Sequence, residues 1–101
     1  MRTIMDLAKM DGRVYIYLKD TDICNQFLRD AEVEGFTFGD GVKPTKREGS
    51  DIFAVNADQT INYVGFAGHM AFGSAKKVAD QKLIRVDYQK YVSGDDEYLV
   101  L

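Results

Sequence analysis

Histidine, cysteine and serine are the side chains of this chain that could do covalent or proton-transfer chemistry, and each stands in isolation. His69 is the only histidine and Cys24 the only cysteine, so neither a multi-histidine metal centre nor a cysteine-pair zinc site can be assembled. As a general base His69 would need an orienting carboxylate, which no local motif supplies, so it reads as a hydrogen-bonded loop residue. Cys24 falls on the apolar stripe of a predicted helix, where a thiol is buried and inert, whereas reactive cysteines sit exposed beside positive charge. Ser50 and Ser74 lack the Gly-x-Ser-x-Gly setting of a nucleophile elbow. The residues therefore predict a protein that is not an enzyme and carries no metal or cofactor.

Binding chemistry is better represented. Gly39-x-Gly41 and the series Gly65, Gly68, Gly73 match neither the dinucleotide fingerprint nor the phosphate loop, which ends in Gly-Lys-Ser/Thr. They could still present backbone N–H groups to an anion, although turns that need positive φ explain isolated glycines more simply. Charge is unevenly spread. Residues 20–40 hold six carboxylates and one arginine, whereas residues 43–92 hold eight basic and five acidic side chains. Lys43, Lys46, Arg47, Lys76, Lys77 and Lys82 all lie in loop-like segments, where they could converge on phosphate or simply keep the surface soluble. The predicted ligand-binding set is Gly39, Gly41, Lys43, Arg47, Gly68, His69 and Lys76. A partner-binding set consists of Tyr15 and Tyr17 on an aromatic strand face, and of Asp30 and Glu34 on an acidic helix face that suits a basic groove.

The elements that would position these residues are legible from their periodicity. A short N-terminal helical turn closed by Gly12 precedes a strand at 13–19, with Val14, Ile16 and Leu18 on one face and Tyr15 and Tyr17 on the other. Asp20 and Asp22 offer capping oxygens to a helix over 22–34, whose stripe is Ile23, Cys24, Phe27, Leu28 and Ala31, and Gly35 stops it. Phe36 and Phe38 share one face of a short strand. Strands at 51–56 and 60–66 form an antiparallel hairpin through Ala57-Asp58-Gln59. Residues around His69, Met70 and Phe72 make a loop or short helix, a last strand covers 83–86, and Asp87 caps a terminal turn. The fold predicted is α+β, a single mostly antiparallel sheet with one main helix on one face, spanning residues 1–94 with an acidic and then apolar tail at 95–101. The aromatic face of the first strand should also be covered, by a helix or by a second subunit, and since one long helix covers one side only, this face is the best hint of a homo-oligomer.

At 101 residues, against ~150 per typical domain, the chain is one domain, and a two-domain enzyme is excluded. Its composition, 46% hydrophobic and 29% charged, is that of an ordinary globular protein, and the net charge of −3 does not advertise nucleic acid. A single cysteine forms no internal disulfide, which suits a reducing compartment. Asp6 and Lys9 interrupt the apolar run of ~7 or more residues that a signal peptide needs, and no apolar stretch reaches the ~20 that span a bilayer. A cytoplasmic protein with no membrane partner is expected.

Residues 13–44, with Val64-Gly65-Phe66 and Ile84-Arg85-Val86-Asp87-Tyr88, resemble small proteins common in phages and prophages of Gram-positive bacteria. Their pattern is a short strand, a helix, Gly-aromatic-x-aromatic-x-x-Gly-x-Lys-Pro and a β-hairpin. Here the motif is Gly35-Phe36-Thr37-Phe38-Gly39-Asp40-Gly41-Val42-Lys43-Pro44. The resemblance implies a phage accessory protein, working in the host cytoplasm, that antagonises a bacterial defence system by blocking a host immune effector or sequestering an anionic nucleotide signal. Many of these proteins carry Trp where this chain has Phe38, so a Trp-dependent stacking site is not expected. The alternative is a single-stranded nucleic-acid binder in which Tyr15 and Tyr17 stack bases beside the lysine loops, against which stand the negative charge and the missing RNP-type signature.

Overall fold

The computed structural model describes residues 2–74 and 76–100; Met1, Ala75 and Leu101 lie outside the described residues. In chain order the elements are α1 (Ile4–Ala8), β1 (Arg13–Tyr17), α2 (Thr21–Val33), β2 (Thr37–Phe38), a 3₁₀ turn (Pro44–Lys46), β3 (Ile52–Asn56), β4 (Thr60–Tyr63), α3 (Gly65–Ser74), β5 (Lys77–Val78), β6 (Gln81–Asp87) and α4 (Tyr88–Ser93).

Local chemistry sets the helix ends. Asp20 caps α2 by accepting from the Ile23 N–H at 2.9 Å. At the other end Gly35 adopts φ 84°, and the Gly35 and Phe36 N–H groups return to the Glu32 and Ala31 carbonyls at 3.1 and 2.9 Å. This Schellman closure needs a left-handed residue, which glycine supplies without steric cost. Asp87 caps α4 by accepting from the Lys90 N–H. Helix α1, five residues long, is too short to stand alone. It is held by its buried Ile4 and Leu7, by a capping box of Thr3 and Asp6, and by the Glu34 carboxylate, which accepts from the Ile4 and Met5 N–H groups.

The α+β architecture is present, as a six-stranded mixed sheet in the order β2-β4-β3-β1-β6-β5. The β1–β3, β3–β4 and β5–β6 pairs are antiparallel, while β1–β6 and β2–β4 are parallel. Val14, Ile16, Phe53, Val55 and Val86 face the larger core with Phe27, Phe36 and Tyr88. Phe27 is fully buried, stacked on Phe53 at 5.6 Å and edge-on to Tyr88 at 5.2 Å.

Two expectations are revised by this arrangement. The second sheet face is covered within the chain: Tyr15, Ile52, Ala54 and Leu83 form a separate cluster, against which Ala71 and Phe72 of α3 pack. Helices therefore lie on both faces instead of one, and of the two covers expected for the aromatic face it is a helix, α3, that occupies it. The C-terminal residues described are also no free tail. Val100 donates to the Arg85 carbonyl at 2.9 Å and Asp87 to the Tyr98 carbonyl at 2.8 Å, so residues 98–100 pair with the outer edge of β6. Arg2 pins the segment before them by hydrogen bonds to the Asp95 carbonyl and to Asp96, its guanidinium 4.9 Å from the Tyr98 ring centroid.

Candidate functional site

The residues expected to converge on one ligand are distributed over the whole sheet. Gly39, Gly41, Lys43 and Arg47 stand beside β2 at one edge, Lys76 beside β5 at the opposite edge, and Gly68 and His69 on α3 between them. They do not form one pocket. At the β2 edge, Arg47 pairs with Asp40 and lies 4.8 Å from the Phe38 ring centroid, and this guanidinium holds the Asp40 carboxyl below its usual range. The Gly41 N–H closes the turn onto the Phe38 carbonyl at 2.8 Å and the Gly68 N–H bonds the Val64 carbonyl at 3.1 Å, so both amides serve the fold. Gly68 is there for space, since a Cβ would stand 2.3 Å from that of Val64.

His69 is clamped rather than free. Its Nε2 lies 2.6 Å from Asp51 Oδ1 and its Nδ1 2.7 Å from the Gly65 carbonyl. The Asp51 hydrogen bond raises the pKa of His69, and the same bond lowers that of Asp51. Facing a carboxylate and a carbonyl, both ring nitrogens are placed to donate, which favours the imidazolium form and anchors the ring. Cys24 is buried against Gly49, where a Cβ would meet its Sγ at 2.3 Å, and burial pushes the thiol up.

The partner-binding candidates are also drawn into the structure. Asp30 accepts from the Tyr88 hydroxyl at 2.6 Å, and Glu34 holds the start of α1. Tyr15 is buried, whereas half-buried Tyr17 lies 6.1 Å from the Phe72 ring and with it lines a groove of about 800 Å³ between the end of α3 and the C-terminal segment.

A groove of about 880 Å³ at the β5–β6 edge is lined by Met10, Asp11, Lys76, Lys77, Lys82, Leu83, Ile84, Arg85, Leu99 and Val100, the last two of which it shares with the Tyr17–Phe72 groove. That volume is within the ~300–1,000 Å³ typical of small-molecule sites. Lys77 and Lys82 are directly opposite cross-strand partners, and Val78 faces Gln81 across the turn. Like charges so placed repel. The ion pairs among the described residues are Arg2–Asp96, Arg47–Asp40 and His69–Asp51, so none neutralises Lys76, Lys77 or Lys82. Gly12 builds one wall. A Cβ there would lie 2.5 Å from the Lys82 carbonyl oxygen and 3.0 Å from Ile84 Cδ1, so only glycine lets the Met10–Asp11 turn close onto β6. This replaces its expected role of closing α1, which ends at Ala8 with Lys9 as its C-cap. Arg85 belongs to the site's frame: it donates to the Phe72 and Ala71 carbonyls and so anchors the end of α3.

Of the predicted ligand-binding set only Lys76 lines this groove; Lys77 and Lys82 read from the sequence as loop lysines that could converge on phosphate, not as cross-strand partners. The two-residue turn that juxtaposes them is Ala79-Asp80, with φ 50° and 63°, a mirror-image turn lacking the usual Asn-Gly signature. No protein-family model matches the chain, and neither a curated protein nor a solved structure matches it. Chemically, the arrangement offers three ammonium groups without an ion-pair partner among the described residues, Lys76, Lys77 and Lys82, against the single Asp11 carboxylate on the wall and beside an aliphatic floor, a net positive lining that suits non-covalent capture of an anion.

Proposed function

We propose that this is a phage or prophage accessory protein that antagonises a bacterial defence system by binding, without catalysis, and that it does so by sequestering an anionic ligand in the β5–β6 edge groove. The observation that carries this reading is the like-charged Lys77–Lys82 cross-strand pair, unneutralised among the described residues and bordering an apolar depression. Lysine on a short edge strand also discourages edge-to-edge aggregation, but that role needs neither the second lysine opposite it nor the groove. Capture of a signal is favoured over an acidic docking face, because Asp30 and Glu34 are engaged within the fold. The test is native mass spectrometry of the full chain purified from bacteria and exposed to a small-molecule extract of the same cells. A bound anionic species on the wild type, absent from Lys77→Glu/Lys82→Glu, supports the reading. A chain that acquires nothing, or a species retained equally by the variant, overturns it.

A further inference from the structure

The groove's lining also carries information about the class of ligand. On a strand, residues two apart share a face and directly opposed residues share it too. Lys82 and Ile84 therefore look the same way, together with Lys77, which opposes Lys82, and with Leu99, which opposes Val86. Along β6 this gives a cationic end at Lys77 and Lys82, then Ile84, then Leu99, over roughly 13 Å at the ~3.3 Å rise per strand residue. Met10 joins Ile84 from the wall that Gly12 brings in. Charge is at one end and the remainder of that face is aliphatic.

No aromatic residue is among those lining the groove. Proteins hold nucleobases by stacking on aromatic or guanidinium planes and by hydrogen bonds to the base edge. The one guanidinium here, Arg85, has its Nε and one terminal nitrogen donating to carbonyls at the end of α3. We infer that the groove takes a single-chain aliphatic amphiphile, an alkyl or acyl chain ending in a carboxylate or phosphate, with the anionic end between Lys77 and Lys82 and the chain along Ile84, Met10 and Leu99. This rests on the proposed role of the groove as an anion site and replaces a nucleotide with an amphiphile as its ligand.

The experiment is calorimetric titration of the full chain with octanoate, decanoate and dodecanoate below their micellar concentrations, and with adenosine monophosphate and inorganic phosphate. Affinity should climb about three- to fourfold per added methylene, the value of burying one CH₂. Lys77→Glu/Lys82→Glu should weaken dodecanoate at least about tenfold, the equivalent of ~1.4 kcal/mol. Leu99→Ser, at a side chain already 46% exposed, should leave the fold intact and flatten the chain-length series. If adenosine monophosphate or phosphate binds as tightly as dodecanoate and with the same lysine dependence, the amphiphile is wrong while the anion site stands. A chain-length series that survives lysine reversal unchanged, or no binding by any of the five, overturns both.

Discussion

His69 and Asp51 are joined Nε2 to Oδ1 at 2.6 Å, while the other ring nitrogen is held by the Gly65 carbonyl on the same helix. Both nitrogens can donate only in the imidazolium form, so the pair clamps one flank of α3 to the start of β3 as an ion pair. Helix α3 needs such a clamp, because three of its ten residues are glycine.

A pH dependence follows, with its sign fixed by the two shifts. His69 is raised above its ordinary 6.5, so its contribution is complete below 6.5 and lost as pH rises through the folded-state value. Asp51 is lowered below its ordinary 3.8, so its contribution is complete above 3.8 and lost as pH falls through the folded-state value. The clamp is strongest between these limits. An NMR titration should place the His69 pKa above 6.5, and Asp51→Asn should bring it down. A midpoint at or below 6.5 in the wild type would contradict the clamp.

Glu34 should behave as a structural residue. Its carboxylate accepts from two consecutive α1 amides at 2.8 and 3.0 Å. Glu34→Ala leaves both without that acceptor and should cost about 1–3 kcal/mol by urea denaturation. Exposed Asn25→Ala is the neutral comparison. Equal stability of Glu34→Ala and wild type would return Glu34 to the list of partner-binding candidates.

The contrast between Glu34 and the helix that carries it shows where the sequence was informative. The stripe through Cys24, Phe27, Leu28 and Ala31, the Asp20 cap and the Gly35 stop are local patterns, and the chain obeys them. Helix α3 reads as loop or short helix because its residues, mostly apolar, form no helical stripe and three are glycine, so neither period nor propensity marks it. The acidic side chains of α2 and its C-cap read as solvated because the donors they accept from are distant in sequence: Glu34 reaches back 30 residues to the Ile4 N–H, and Asp30 is met by the Tyr88 hydroxyl from 58 residues on. The candidate site is non-local in the same way, since Met10, Lys77, Lys82 and Leu99 come together only through sheet order and an atypical turn.

Gly49 supplies a packing prediction. Its Cα is so close to Cys24 that an added methyl would fall 2.3 Å from Sγ. Gly49→Ala should destabilise the fold by about 1–3 kcal/mol through overpacking. Combined with Cys24→Ala, which removes the clashing sulfur, it should cost less than the sum of the two single changes. Strict additivity in denaturant titrations would mean that the two residues do not press on one another.

The central claim is that Lys77 and Lys82 are placed against each other to hold an anion, and thermal unfolding of Lys82→Glu beside the wild type, with and without saturating dodecanoate, tests it most directly. Without ligand, replacing a like-charged cross-strand pair by an opposite one should stabilise the variant slightly, by at most roughly 0.2–1 kcal/mol and less at high salt. With dodecanoate the order should reverse, because a ligand that binds only the folded state raises the wild-type midpoint, and the variant has lost the charge that binds it. A wild-type midpoint unmoved by dodecanoate, or an equal rise in both proteins, would contradict the account.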